Sequence, residues 1–185
     1  MTPEARGPSR RVPTVRSVDH VAYTVPDLEQ AISFFVDYLG GELIFRDGPF
    51  DGTGKDYMRR KLNVHPDATS RLAMLRMGRD FNLELIEYEA EDQRTTVPRN
   101  SDIGASHLAL YVDDIYEAHA YMRSVPGVTL FEGPNVVPED SPVAGQSWFY
   151  FLTPWGMTME LTSDPSGNFY RGLAGERMAP PTRWN

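Results

Sequence analysis

The sequence contains no cysteine. Disulfides, thiolate nucleophiles and sulfur-ligated metals are thereby excluded, so any metal must be held by His, Asp or Glu. It also lacks an excess of positive charge. Its 18 Lys and Arg stand against 26 Asp and Glu, a formal net charge of −8, which argues against nucleic acid or a membrane surface as a partner. No apolar run approaches the roughly 18 residues that a membrane-spanning helix needs. Residues 1–14 carry Arg6, Arg10 and Arg11 but no apolar stretch after them, so they are expected to form a disordered arm and not a signal peptide. The Gly-rich stretches lack the strand-to-helix setting of a phosphate cradle, which removes a nucleotide site. These absences leave the expectation of a cytoplasmic protein whose partner is a small molecule.

What the chain does have is a repeat. Residues 19–28 read Asp-His-Val-Ala-Tyr-Thr-Val-Pro-Asp-Leu and residues 106–115 read Ser-His-Leu-Ala-Leu-Tyr-Val-Asp-Asp-Ile. Each is a short β-like run that opens with His and closes on Asp where helical spacing begins. His20 and His107 lie 87 residues apart, close to half of the 185-residue chain. The pattern around each copy predicts the order β-α-β-β-β.

In the first copy a strand is expected over 15–25, and Asp27 caps a helix whose stripe is Leu28, Ala31, Ile32, Phe35 and Leu39. Gly40-Gly41 stops it. A short strand over 42–46, a loop over 47–55 and a hairpin of 71–77 with 81–88 follow. In the second copy a strand over 105–112 leads to a helix capped by Asp113 or Asp114, with Ala118, Tyr121 and Met122 on its apolar side. Pro126-Gly127 ends that helix. A strand over 128–131, a loop over 133–145 and a hairpin of 147–152 with 157–162, turned at Thr153-Pro154-Trp155-Gly156, complete the copy. The expected organisation is an arm (1–14), a first module (15–88), a linker (89–104), a second module (105–163) and a carboxy-terminal extension (164–185).

Strand alternation assigns the chemistry, because successive side chains point to opposite faces. His20, Ala22 and Thr24 oppose Val21, Tyr23 and Val25. Glu84 opposes Leu83 and Leu85. His107, Ala109 and Tyr111 oppose Leu108, Leu110 and Val112, and Thr158, Glu160 and Thr162 oppose Met157, Met159 and Leu161. A carboxylate flanked by large apolar neighbours must be paired, protonated or bound to a cation. A repeat has no packing reason to place His at the start and Glu at the end twice, so His20, Glu84, His107 and Glu160 are the candidate ligands of one divalent metal. Mixed nitrogen and carboxylate donors suit Zn, Ni, Co, Mn or Fe(II) better than Ca. His65 has a surface reading and His119 a structural one. The run from Trp148 to Phe151 reads mostly as core, with one face free to line a pocket.

At these residues, together with Asn-Leu-Glu-Leu at 82–85 and Phe-Leu-Thr-Pro-Trp-Gly-Met-Thr-Met-Glu-Leu at 151–161, the chain resembles the vicinal oxygen chelate superfamily. That group includes glyoxalase I, methylmalonyl-CoA epimerase, extradiol dioxygenases and the fosfomycin- and bleomycin-resistance proteins. The resemblance covers 15–163. It implies an α+β fold in which two paired βαβββ modules form a cupped mixed sheet with helices outside, and a divalent metal held at His20, Glu84, His107 and Glu160.

Glu84 is similar to the glyoxalase I ligand set, where the epimerases usually have glutamine. The implied activity is that of a metal-dependent isomerase, epimerase or lyase working on a small hydroxycarbonyl compound through an enediolate. Glu160 is the expected general base and Glu84 its counterpart on the opposite side; Tyr111 or Thr158 would bind substrate. An Fe(II) extradiol-type dioxygenase and a metal-free small-molecule-binding protein are the alternatives. A homodimer is expected because such sheets leave edges to cover. The final hairpin departs from the common Asp-Pro-x-Gly in having Thr153 for Asp and a bulky Trp155, which suggests an altered pocket rim.

Overall fold

Each half of the chain begins with a short strand that runs into an Asp-capped helix. The computed structural model describes residues 12–52 and 56–165. In the first half β1 (Val21–Thr24) leads to α1 (Leu28–Ser33), where the Asp27 carboxylate accepts the Gln30 amide at 2.9 Å. The helix then widens into one π-helical turn, Phe34–Tyr38, and both Phe34 and Phe35 are buried. Strands β2 (Glu42–Phe50), β3 (Thr69–Met77) and β4 (Phe81–Glu89) complete a sheet of order β1-β4-β3-β2. β1 pairs with β4 in parallel and the other pairs are antiparallel.

The second half repeats the plan. β5 (Leu108–Tyr111) leads to α2 (Ile115–Met122), whose cap is Asp114, accepting the amides of Tyr116 and Glu117 at 2.9 and 3.0 Å. β6 (Thr129–Leu130), β7 (Asn135–Val136), β8 (Ser147–Leu152) and β9 (Thr158–Ser163) follow. The order is β5-β9-β8-β6, with β7 also paired to β8 and with β5 parallel to β9. A parallel closing pair needs a crossover, and each helix lies on that crossover.

The two halves share one core. Phe35, Leu75, Leu83 and Leu85 of the first half and Phe149, Phe151, Met159 and Leu161 of the second belong to a single buried cluster. Trp155, at the tip of the β8–β9 turn, reaches across to Phe34 and Phe35 with ring centroids 5.4 and 6.2 Å apart. In that turn the buried Thr153 hydroxyl accepts the Met157 amide at 3.0 Å. Sheets and helices turn their apolar sides to this core. Ala22, Thr24 and Ala109, on the opposite face, stay exposed.

Several elements differ from the sequence expectation. β1 begins at Val21 and not at 15, so His20 precedes the strand, as His107 precedes β5. β2 runs on to Phe50 through residues expected to be loop, because an edge strand tolerates Gly48-Pro49 with register shifts between Asp47 and Phe50. A π-helical turn, Met58–Leu62, and the two-residue β7 lie in stretches without clear periodicity. On α2 the buried residues are Ile115, His119 and Met122, whereas Tyr121 is exposed; the stripe at i, i+4 and i+7 passes through His119. Residues 1–11 of the arm and 166–185 of the extension lie outside the described residues. Among the described residues no helix is long and apolar enough to cross a membrane.

Candidate functional site

Parallel pairing sets the first step of the site. Ala22 sits beside Glu84 across β1 and β4, and Ala109 beside Glu160 across β5 and β9. A small side chain next to each carboxylate leaves the space in front of it open. The histidine two residues before each alanine folds over the same carboxylate. His20 Nε2 lies 3.4 Å from Glu84 Oε2, and His107 Nε2 lies 3.1 Å from Glu160 Oε2. The two pairs also match in depth, with side-chain exposures of 38% and 17% in the first and 36% and 17% in the second. The repeat read from the sequence is therefore a repeat of geometry.

The surroundings are not repeated. His20 Nδ1 is 2.8 Å from Asp19 Oδ2, and the hydrogen bond to Asp19 raises His20 above its ordinary value of 6.5, with smaller contributions from the Glu84 and Asp19 charges and opposition from burial. The Asp19 carbonyl accepts from Asn82, whose side-chain oxygen accepts from Arg76 at 2.9 Å. His107 instead packs edge-on against Tyr150, ring centroids 5.1 Å apart. Burial, then the Glu160 charge and a hydrogen bond with it, push the Tyr150 phenol up. Tyr88 is likewise raised by burial and by the charge of Glu84.

These distances have a chemical meaning. Two ligands each about 2.1 Å from one cation stand about 3.0 Å apart at a right angle and about 3.4 Å apart at the tetrahedral angle. Both His–Glu separations fall on that span, and imidazole with carboxylate is a borderline-metal donor set. With Nδ1 held by Asp19, His20 would offer Nε2 to a cation beside Glu84. Pair by pair the donors fit a divalent cation. The four do not gather within one chain: among the described residues no group of three or more His, Asp or Glu side chains is arranged to hold a metal.

The other sequence candidates are held as follows. Thr158 is buried, 6% exposed, and the Tyr111 hydroxyl is engaged by the backbone of Asp164, donating to its carbonyl at 3.3 Å and accepting its amide at 3.2 Å. His65 accepts the Asp67 amide in a turn, and His119 is buried against Phe149. Tyr150 and Asp19 were missed as site residues. Tyr150 was legible, because a hairpin closed at residues 153–157 pairs 150 with 160.

Comparison with known proteins rests on the same stretch. A model of the glyoxalase/bleomycin resistance protein/dioxygenase superfamily matches residues 19–144, which include His20, Glu84 and His107. The chain belongs to that superfamily. It is 50% identical over 172 residues to a 2-epi-5-epi-valiolone epimerase from an Actinomyces species, covering 93% of this chain and 92% of that one. This vicinal oxygen chelate protein also shares its fold with a glyoxalase family protein of Bacillus cereus, at 19% identity and a TM-score of 0.65 over 83% of this chain and 99% of that one. A glyoxalase family protein of Enterococcus faecalis matches at 22% identity and a TM-score of 0.55 over 80% and 97%.

Proposed function

We propose that this vicinal oxygen chelate protein is a metal-dependent epimerase of a polyhydroxylated ketone of the valiolone kind. The observation that carries the reading is the matched pair of half-sites, His20 with Glu84 and His107 with Glu160, each spaced as two ligands of one cation. The 50% identical epimerase supports the substrate class and favours isomerisation over the dioxygenase and sequestration alternatives. Zn, Ni, Co, Mn and Fe(II) suit the donors.

Because the two His–Glu pairs of one chain do not gather, we propose that a second copy completes the site, one pair from each chain. Exposed apolar side chains on the outer strands, Ile44, Phe45 and Phe50 on β2 and Val136 on β7, support a homodimer.

A divalent cation held by these four donors would supply Lewis acidity to the ketone oxygen. Epimerisation next to a carbonyl requires a proton to leave one face and another to arrive on the opposite face. Glu160 takes the proton from the carbon beside the carbonyl, leaving the enediolate form of the substrate, and Glu84 returns one from the other side. Ala22 and Ala109 leave room for the ring against both carboxylates. Asp19 fixes the orientation of His20 through Nδ1.

The test is incubation of the metal-loaded protein with 2-epi-5-epi-valiolone in deuterium oxide, followed by NMR. A second epimer carrying deuterium at the inverted carbon is expected, and Glu160→Gln or Glu84→Gln should lower its formation by at least about 100-fold. Unchanged turnover in a fully metallated Glu160→Gln protein would remove the assignment.

A further inference from the structure

Neither site histidine belongs to a strand: His20 precedes β1 and His107 precedes β5. The ladder that fixes Glu84 and Glu160 therefore does not by itself fix the rings that face them. His107 lies edge-on to the Tyr150 ring, whose strand position across from Glu160 is matched in the first half by Met74, across from Glu84. The first half has a chain of hydrogen bonds instead. Arg76 stands across from Asn82 in the β3–β4 pair, and its Nε donates to Asn82 Oδ1 at 2.9 Å while Nη1 donates to the Arg79 carbonyl at 3.1 Å. Asn82 Nδ2 donates to the Asp19 carbonyl at 2.9 Å, and the Asp19 carboxylate lies 2.8 Å from His20 Nδ1. Two residues before Glu160, where Asn82 stands before Glu84, the second half has Thr158 with Leu152 across from it, so it has neither the amide nor the guanidinium.

We infer that Asn82, braced by Arg76, is a positioning residue that sets His20 beside Glu84. With its oxygen held by the guanidinium, the amide has its NH2 group left to reach out of the sheet, and that group meets the Asp19 carbonyl. Arg76 is itself tied to the β3–β4 turn, so the brace is anchored at both ends. Asn82 and Glu84 are two residues apart on β4 and share a face. One strand thus carries both the carboxylate and the strut, and the His20–Glu84 separation is set by β4 more than by the short stretch leading into β1. That stretch needs the tie because the Asp19 side chain is 89% exposed, where water competes for its bonds. For its effect on a bound cation the inference rests on the metal-dependent reading above; for the placing of the ring it does not.

The full-length Asn82→Leu protein removes both amide bonds at nearly constant size. Two measurements read it. In the first, the imidazole nitrogens of metal-free protein are followed by 15N–1H correlation NMR, with signals assigned from His20→Gln and His107→Gln. The His20 signals are expected to move and those of His107 to stay in place. Unmoved His20 signals overturn the inference, and so do equal movements of both rings, which would show a general disturbance of the sheet. Asn82→Asp keeps the oxygen that Arg76 binds and loses the donor to Asp19; it should give the same one-sided change, and it takes the place of Asn82→Leu if that protein does not fold.

In the second, metal-free protein is titrated with cobalt(II). Asn82→Leu is expected to weaken binding by about 3- to 10-fold, the worth of one net hydrogen bond. Arg76→Met should weaken it by less, and should add nothing once Asn82 is already leucine, because it acts through the same amide. Wild-type affinity in Asn82→Leu overturns the inference, and losses that simply add overturn the bracing by Arg76. Should the wild-type protein bind no cobalt, the metal-dependent reading falls and the NMR comparison alone decides the role of Asn82.

Discussion

Removing the Glu87 side chain tests how the fold carries the site. Glu87 lies on β4 with Glu84, but on the core side, and its side chain is only 13% exposed. It accepts the amide of Leu28, the first residue of α1, at 2.6 Å, and it pairs with Arg71 at 2.8 Å. Glu87→Ala leaves that amide without an acceptor beside a Leu28 that is itself buried, a cost of about 1–3 kcal/mol. Loss of the negative charge at the helix start adds about 0.3–1 kcal/mol. The Arg71 pairing is open to solvent and adds little. At about 2–4 °C per kcal/mol for a chain of this length, the melting temperature should fall by about 3–15 °C.

Glu87→Gln keeps an acceptor oxygen and should lose less than half as much. Thermal unfolding of both variants, followed by far-ultraviolet circular dichroism in metal-free buffer, checks this. If Glu87→Ala melts within about 1 °C of the wild type, or if Glu87→Gln is as damaging as Glu87→Ala, the account of how α1 is tied to β4 is wrong.

His119 is held below its ordinary value of 6.5, first by burial and then by the nearby Arg123 charge. The unfolded chain therefore binds a proton there more readily than the folded one, so stability should decline as pH falls below about 6.5. His119→Gln should flatten part of that decline in melting curves taken between pH 7.5 and about 5. Asp114→Ala removes the acceptor for two amides at the start of α2 and should cost about 1 kcal/mol in urea unfolding; an unchanged midpoint would show that the cap carries no net stability.

Repetition made the architecture legible. The His-to-Asp phrase, written twice, marked β1 and β5 with their helices, and hydrophobic alternation put Glu84 and Glu160 on faces opposite Leu83, Leu85, Met159 and Leu161. The edges were not legible, because pattern is weakest where pairing is one-sided: β2 uses Gly48 and Pro49 at positions that a central strand would refuse, and β7 is only two residues long. For the site, each His–Glu pair was readable because it follows from strand register within one half. Whether the pairs meet depends on how the halves are set against each other, which no local period encodes. His119 illustrates another limit: a polar residue on an apolar stripe is assigned correctly only by counting the stripe through it. Tyr150 sits inside a run of four aromatics, yet alternation together with the hairpin register separates Phe149 and Phe151 in the core from Tyr150 opposite Glu160.

The stoichiometry of metal binding tests the central claim most directly. Native mass spectrometry with elemental analysis, on the full-length protein offered Zn, Ni, Co, Mn and Fe(II) in turn, should find one divalent cation per chain. Affinity should drop by at least about tenfold on replacing any one of His20, Glu84, His107 or Glu160. Two cations per chain, none with any of the five metals, or binding indifferent to Glu84→Gln would show that the two His–Glu pairs are not the halves of one site.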